Sequence, residues 1–322
     1  MNLLLFRGDE FSPNFYRHSG VDVDNSFYLK IGERETLLVP KLNERAAKLA
    51  FKKGKAKAYS KYVLDIIPLI KGKEVMMDYS SLPARIFERL SRYCKPIDSS
   101  ELLFAERAVK NPEEIGKIKK AASYSKKILS EIGHFNCGSE TDLRNALQIR
   151  ALESNLELAF EPVIGSGSHS AFPHYKTGSS KVRDFVLVDF GVKYNHYCSD
   201  ITRVYFSGRG KNGAKKRKVL EAYVKLQEIF YGILDALPDF ETGKEVALFA
   251  DSLFKKYNLP EPIHSIGHGV GLDIHEYPRL NKKYEDKIKG TVMAIEPGAY
   301  FSDFGVRFEE TVYFDGKKAR IL

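Results

Sequence analysis

DFVLVDFGVKYNHYCSDITRVYF, residues 184–206, is the stretch on which the fold turns. Two runs rich in Val, Ile, Phe and Tyr flank a polar centre, so it reads as a β-hairpin turning at Tyr194 and Asn195. A two-residue turn there sets Asp189 directly opposite Asp200, and such cross-strand partners hold their Cβ atoms about 4.5–5.5 Å apart. Two carboxylates that close repel, and both stay ionised only with a cation between them. Taken alone, the pair also admits a plainer account, with one aspartate capping a turn and the other facing solvent.

Downstream, HSIGHGVGLDIHEYPRL (residues 264–280) places glycines on both sides of His268, where they let the backbone pack close to whatever the imidazole binds. By itself such a histidine is as readily structural. His275 and Glu276 follow, and Pro278 stiffens the segment that aims them. AIEPG (294–298) ends a strand at Glu296, broken by Pro297, and FGVRFEETVYF (304–314) reads as a further strand. Alternation puts Val306, Phe308, Glu310 and Val312 on one face and Arg307, Glu309, Thr311 and Tyr313 on the other. The mostly apolar face turns to the core, which leaves Glu309 beside Arg307 at a polar site and Glu310 on the apolar side. The opposite phase, with Glu310 as the ligand, is the alternative.

Together Asp189, Asp200, His268, Glu296 and Glu309 form a set rich in hard oxygen donors and devoid of thiolate. It suits two ions such as Mn²⁺, Co²⁺, Fe²⁺ or Zn²⁺ rather than a structural zinc, and four carboxylate charges match two divalent cations. A metal pair lowers the pKa of a shared water and polarises a carbonyl, so the predicted chemistry is hydrolysis.

Outward from these motifs, the chain of 322 residues exceeds a typical single core, and two domains are expected. Residues 26–104 alternate β-rich runs (SFYLKI, TLLVP, EVMMD) with helical patterns at 41–52, 60–70 and 82–92, as in a small α/β domain. Asn111, Pro112, Glu113 and Glu114 open a new helix, which sets the boundary at about residue 106, between domains 1–105 and 106–322. After it, helices at about 112–132 and 139–154 lead into the β-rich stretch 160–206, and helices at about 214–236 and 243–257 into 262–322. A site between two such halves is concave and rigid, as catalytic sites prefer.

Cys94, Cys137 and Cys198 form neither a disulfide framework nor a CxxC pair. No apolar stretch reaches the roughly 18–20 residues of a membrane span, and residues 1–8 do not make a signal peptide. A soluble, unexported, cytoplasmic protein with no membrane partner is predicted. The net charge of +9 is diffuse. Its densest run, KNGAKKRK at residues 211–218, lacks interleaved aromatics and reads as a solvated loop rather than a nucleic-acid site.

VDFG, YCSDITR, GHGVGLDIHEYPRL, AIEPG and GVRFEET resemble, in order, the motifs of the superfamily of methionine aminopeptidase, prolidase, aminopeptidase P and creatinase, metallopeptidase family M24. SPNFYRHSGVDVDNSFYLKI and SELLFAERAVKNPEEIGKIKKAA resemble the N-terminal domain, linker and first helix of its Xaa-Pro branch. The resemblance implies an α+β pita-bread catalytic domain behind a smaller creatinase-type α/β domain, and a homodimer. It implies hydrolysis of Xaa-Pro bonds, in a dipeptide by a prolidase or in longer peptides by an aminopeptidase, with two divalent ions, Mn²⁺ or Co²⁺ first and Zn²⁺ or Fe²⁺ next. Asp200 and Glu309 are then bridging ligands, Asp189, His268 and Glu296 ligands of one ion or the other, and Glu296 also the proton shuttle. His174, in SGSHSAFPHYK, falls near the substrate, His275 where the tetrahedral intermediate is stabilised, Arg279 where a dipeptide carboxylate is met, and Arg307 beside Glu309. His169 departs from the asparagine of many relatives, and Ser265-Ile266 from a smaller pair. A non-catalytic peptide- or RNA-binding member and a creatinase-like hydrolase are the rival readings. Both relax the demand for ligands that this chain meets at all five positions.

Overall fold

Four consecutive apolar residues, 3–6, build the central strand of the N-terminal unit. Leu3 and Leu5 pack on one side with Phe15, Tyr28 and Leu37, while Leu4 and Phe6 pack on the other with Phe27, Leu29 and Ile66. A strand buried on both faces reads as a continuous apolar run rather than an alternating one, which is why alternation does not mark it. The computed structural model describes residues 2–131, 137–206 and 213–322. The chain divides into the units Met1–Arg107 and Ala108–Leu322. The sheet of the first unit runs in the order Lys55–Ala58, Arg34–Val39, Ser26–Ile31, Asn2–Arg7, Glu74–Met77, Lys95–Asp98, with helices between its strands.

In the second unit the order helix, helix, sheet occurs twice. Helices Pro112–Ser130 and Glu140–Glu153 pack on Val186, Val188, Phe190 and Ile201. Helices Gly213–Ala236 and Gly243–Lys256 pack on Met293, Ile295, Val306 and Val312. Asn111, Ser139 and Thr242 each close a reciprocal capping box with Glu114, Asp142 and Glu245, fixing where three of these helices begin. The two halves are sewn together beside the later site. The hydroxyl of Thr311 accepts from Asp200 N (3.1 Å) and donates to Asp200 O (2.9 Å), and Glu309 N donates to Thr202 O (3.3 Å).

The decisive hairpin turns one residue later than its sequence predicts. Lys193 pairs with Cys198 and Tyr194 with Tyr197, leaving Asn195 and His196 at the tip with φ of 47° and 69°. A two-residue turn that matches strand twist needs both positions left-handed, and asparagine tolerates this better than tyrosine. Asp189 therefore pairs with Thr202, and not with Asp200. Moving the turn by one residue shifts the register by two, an even number, so Asp200 stays on the face of Asp189, one pair further along.

The basic run is also different from its reading as a loop. Residues 211 and 212 lie outside the described residues, and from Gly213 onward the run is the start of helix Gly213–Ala236. Alanine, lysine and arginine are strong helix formers, and across several residues that preference exceeds the unfavourable dipole at a cationic N-terminus. Lys215 reaches back to Asp303 (3.0 Å). No helix among the described residues is long and apolar enough to cross a membrane.

Candidate metal centre

A cavity of about 550 Å³ in the C-terminal unit gathers Asp189, Asp200, His268, Glu296 and Glu309 in its wall, together with His174, His275, Arg279 and Arg307. Asp189 stands on strand Phe185–Phe190, Asp200 just before Ile201–Phe206, and His268 at the middle of Gly267–Gly269. Glu296 follows Thr291–Ile295, and Glu309 lies between Gly305–Arg307 and Glu310–Phe314. His268 is brought in by its neighbours' lack of side chains. A Cβ on Gly267 would lie 2.1 Å from Ala294 O, and one on Gly269 would lie 2.0 Å from Tyr277 O, so only glycine lets this strand slip between its two partners.

His268 Nδ1 lies 3.1 Å from Gly269 O, which places its proton there and leaves the Nε2 lone pair facing Asp200 (3.6 Å) and Glu296 (4.0 Å). Burial first, then His275, pushes its pKa down to about 3, so it offers the neutral imidazole that a metal takes. The carboxylates move the other way. Burial, then Glu309 and Asp189, holds Asp200 well above the usual carboxylate range; burial, then Asp189 and Glu296, does the same for Glu309. Glu296 is pushed up to about 7, chiefly by burial.

The donor chemistry fits divalent cations. One ligand atom from each of Asp200, His268 and Glu309 lies within 4.8 Å of the others. Asp189 Oδ1 and Asp200 Oδ1 are buried without a hydrogen-bond partner among the described residues. A bare buried carboxylate oxygen carries a desolvation cost of several kcal/mol, which a bound cation removes.

Arg307 is buried beside these acids, its Nη2 on Asp189, its Nη1 3.2 Å from Tyr300 Oη, and its Nε 3.0 Å from Thr202 Oγ1. The Thr202 hydroxyl in turn donates to Glu309 Oε2, so one guanidinium orients two of the acids. His275 stands at the mouth with its ring 4.3 Å from that of His268, and desolvation lowers its pKa. Arg279 lies in the wall with Nε and Nη2 held by Asp286 (2.7 and 2.9 Å) and its guanidinium over the rings of Tyr277 and Tyr284. Glu310 points away, to Arg203 and to Lys126 (3.1 Å).

Three contributors escaped the sequence reading. His264 lines the cavity, its Nε2 3.0 Å from Tyr300 Oη, and burial lowers its pKa to about 4. It lies in the motif around His268, yet no local periodicity aims it inward. Thr202 was within reach, since it shares a strand face with Asp200. Lys110, whose Nζ pairs with the buried Glu276 behind His275, had no signal, because partners 166 positions apart meet only in the fold.

Residues 116–315 match the profile of metallopeptidase family M24. The Xaa-Pro dipeptidase of Pyrococcus furiosus is 32% identical over 96% of this chain and 90% of that protein. A Mycoplasma genitalium relative is 33% identical, and that match spans 66% of this chain and 62% of the relative. The crystal structure of the prolidase from Pyrococcus horikoshii superposes with a TM-score of 0.87 at 28% identity, covering 99% of this chain and 92% of that one.

Proposed function

Because the chain belongs to metallopeptidase family M24 and carries its pita-bread fold behind an N-terminal domain, we propose that it hydrolyses Xaa-Pro dipeptides with two divalent ions, Mn²⁺ or Co²⁺ before Zn²⁺ or Fe²⁺. The observation that carries this reading is the group of buried carboxylates with bare oxygens around a neutral imidazole. Asp189, Asp200, His268, Glu296 and Glu309 hold the ions, which when bound supply an activated water and polarise the scissile carbonyl. The chain's own groups do the rest. Glu296, whose carboxylate lines the same cavity, takes and returns a proton.

Phe160, Val163, Pro173 and Ile274 give the cavity apolar walls suited to a proline ring. His174 and His275 face the same space and donate to the oxygen on which negative charge develops. His275, whose pKa desolvation lowers, donates a hydrogen bond without bringing a third cation towards the two metal ions. Arg279, oriented by Asp286, offers its charge to the substrate carboxylate, which favours dipeptides over longer chains. Arg307 keeps the acids aligned on the substrate side. The free cysteines suit a reducing cytoplasm, and a homodimer completes the assembly proposed.

The test is release of proline from an Xaa-Pro dipeptide, and of the first residue from an Xaa-Pro tripeptide, after chelation and readdition of each metal. Dipeptide turnover restored by Mn²⁺ or Co²⁺ is expected. Preference for the tripeptide would shift the assignment to an Xaa-Pro aminopeptidase, and silence on both with every metal would sink it.

A further inference from the structure

Glu140 is the first residue of helix Glu140–Glu153, and no atom of it is accessible to solvent. It takes no part in capping that helix, since Ser139 and Asp142 close the capping box between themselves. It does not line the cavity either. Its carboxylate nevertheless collects three donors from one segment. Oε1 accepts from Ser166 N (2.7 Å) and lies 2.8 Å from His169 Nδ1, while Oε2 accepts from Tyr175 Oη (3.1 Å). The His169 and Tyr175 rings stack on each other, with centroids 4.5 Å apart and planes at 23°.

These donors sit at the two ends of residues 166–175. Between them the segment is pinned once more, by Ser170, whose hydroxyl donates to Gly167 O (2.8 Å) and accepts from Gly305 N (2.9 Å) on the strand that carries Arg307. The exit is tied as well, with Glu140 N on Ser180 O (2.8 Å) and the Thr141 hydroxyl on Gly178 O (2.7 Å). Pro173 and His174, at the outer part of this closed loop, are the part that reaches the cavity.

We propose that Glu140 is a positioning residue: one buried carboxylate fastens both ends of residues 166–175 and so sets where His174 stands over the metal centre. The reading rests on the Xaa-Pro peptidase assignment for its effect on turnover, and on the structure alone for its effect on the loop. The physical reason is the cost of a buried charge. A carboxylate shut away from water is tolerable only while its hydrogen bonds are made, so its three donors are held together strongly, and charge-assisted bonds are about twice as strong as neutral ones. His169 adds a flat ring on which Tyr175 rests, so that the second donor orients the third.

The experiment pairs Glu140→Gln with the milder Tyr175→Phe, which removes one hydroxyl and keeps the stacked ring, and with His169→Asn, which keeps a donor. Hydrogen exchange of the amides of residues 167–172, 174 and 175 in substrate-free protein should rise in Glu140→Gln and, less, in Tyr175→Phe, with metal stoichiometry unchanged. Turnover of an Xaa-Pro dipeptide should fall about 10²-fold in kcat/KM for Glu140→Gln, the loss that a misplacement of about 1 Å produces, and fall less in His169→Asn, which keeps a donor and loses the ring under Tyr175. His174→Ala should add nothing further in the Glu140→Gln background, because the two changes remove the same contribution. Unchanged exchange in both Glu140→Gln and Tyr175→Phe would overturn the proposal, as would fully additive losses with His174→Ala. The exchange measurement decides the clamp even for a wild-type protein silent toward every peptide, a result that would count against the peptidase assignment alone.

Discussion

Glu309 and Glu310 are consecutive and almost equally buried, at 2% and 6% exposure, yet they live in opposite electrostatic worlds. Glu310 turns to Arg203 and Lys126, positive charges the chain itself supplies. Glu309 faces Asp189, Asp200 and Glu296, with Arg307 as the cation beside them. Both carboxylates are removed from water, but Glu310 has two cations of its own, whereas Arg307 is shared among Asp189, Glu296 and Glu309. The comparison teaches how to tell a structural acid from a proposed ligand: the structural acid arrives beside cations of the chain, and the proposed ligand is left buried among other acids, as Asp200 and Glu309 are. Glu276, paired with Lys110, and Glu140, held by three donors, belong with Glu310.

The sharpest way to break this contrast is to neutralise each acid in turn. Glu309→Gln or Asp200→Asn should remove turnover and metal together, by more than the ~10–100-fold that loss of a ligand's own hydrogen-bond partner costs. Metal stoichiometry and dipeptide turnover measure it. Glu310→Gln should keep the metals and cost about 1–3 kcal/mol of stability in denaturant unfolding, because two cations lose their acceptor. The reverse order of severity would show the strand to be out of phase.

Acidity offers a second handle. Asp200, Glu296 and Glu309 hold their protons to higher pH when folded without cations than when unfolded. The stability they contribute is therefore complete below the ordinary carboxylate pKa of about 4 and is lost as pH rises through the folded values, near 7 for Glu296. Metal-free protein should melt several degrees lower at about pH 8 than at about pH 5 on their account, and Mn²⁺ should raise Tm more at the higher pH. An equal gain at both would mean the acids are already balanced by the chain. The smallest effect is expected far from the cavity. Lys215→Ala removes one solvent-washed ion pair with Asp303 and should change stability by less than about 1 kcal/mol and leave peptide turnover untouched.

How much of this was legible beforehand differs from residue to residue. Helix starts were, because a capping box is local chemistry: Asn111, Ser139 and Thr242 each announce themselves within three residues. That Glu309 and Glu310 face different ways was, although the expected strand over 304–314 is broken at 308–309 into Gly305–Arg307 and Glu310–Phe314, so that Glu309 lies in neither. The hairpin tip was missed by one residue, since Tyr194-Asn195 and Asn195-His196 are equally polar pairs and only backbone handedness separates them. The strand Asn2–Arg7 gave no alternation because both its faces are buried.

The order and identity of the acids and the imidazole, their freedom from thiolate and the face that each strand turns inward were determined by the sequence alone, because these follow from residue type and from periodicities of two and 3.6. Which acid found a positive partner was decided only by the tertiary structure. Lys110 meets Glu276 and Arg203 meets Glu310, across separations of 166 and 107 residues. Counter-charges pair in space, not along the chain, and no local pattern records where a distant side chain comes to rest.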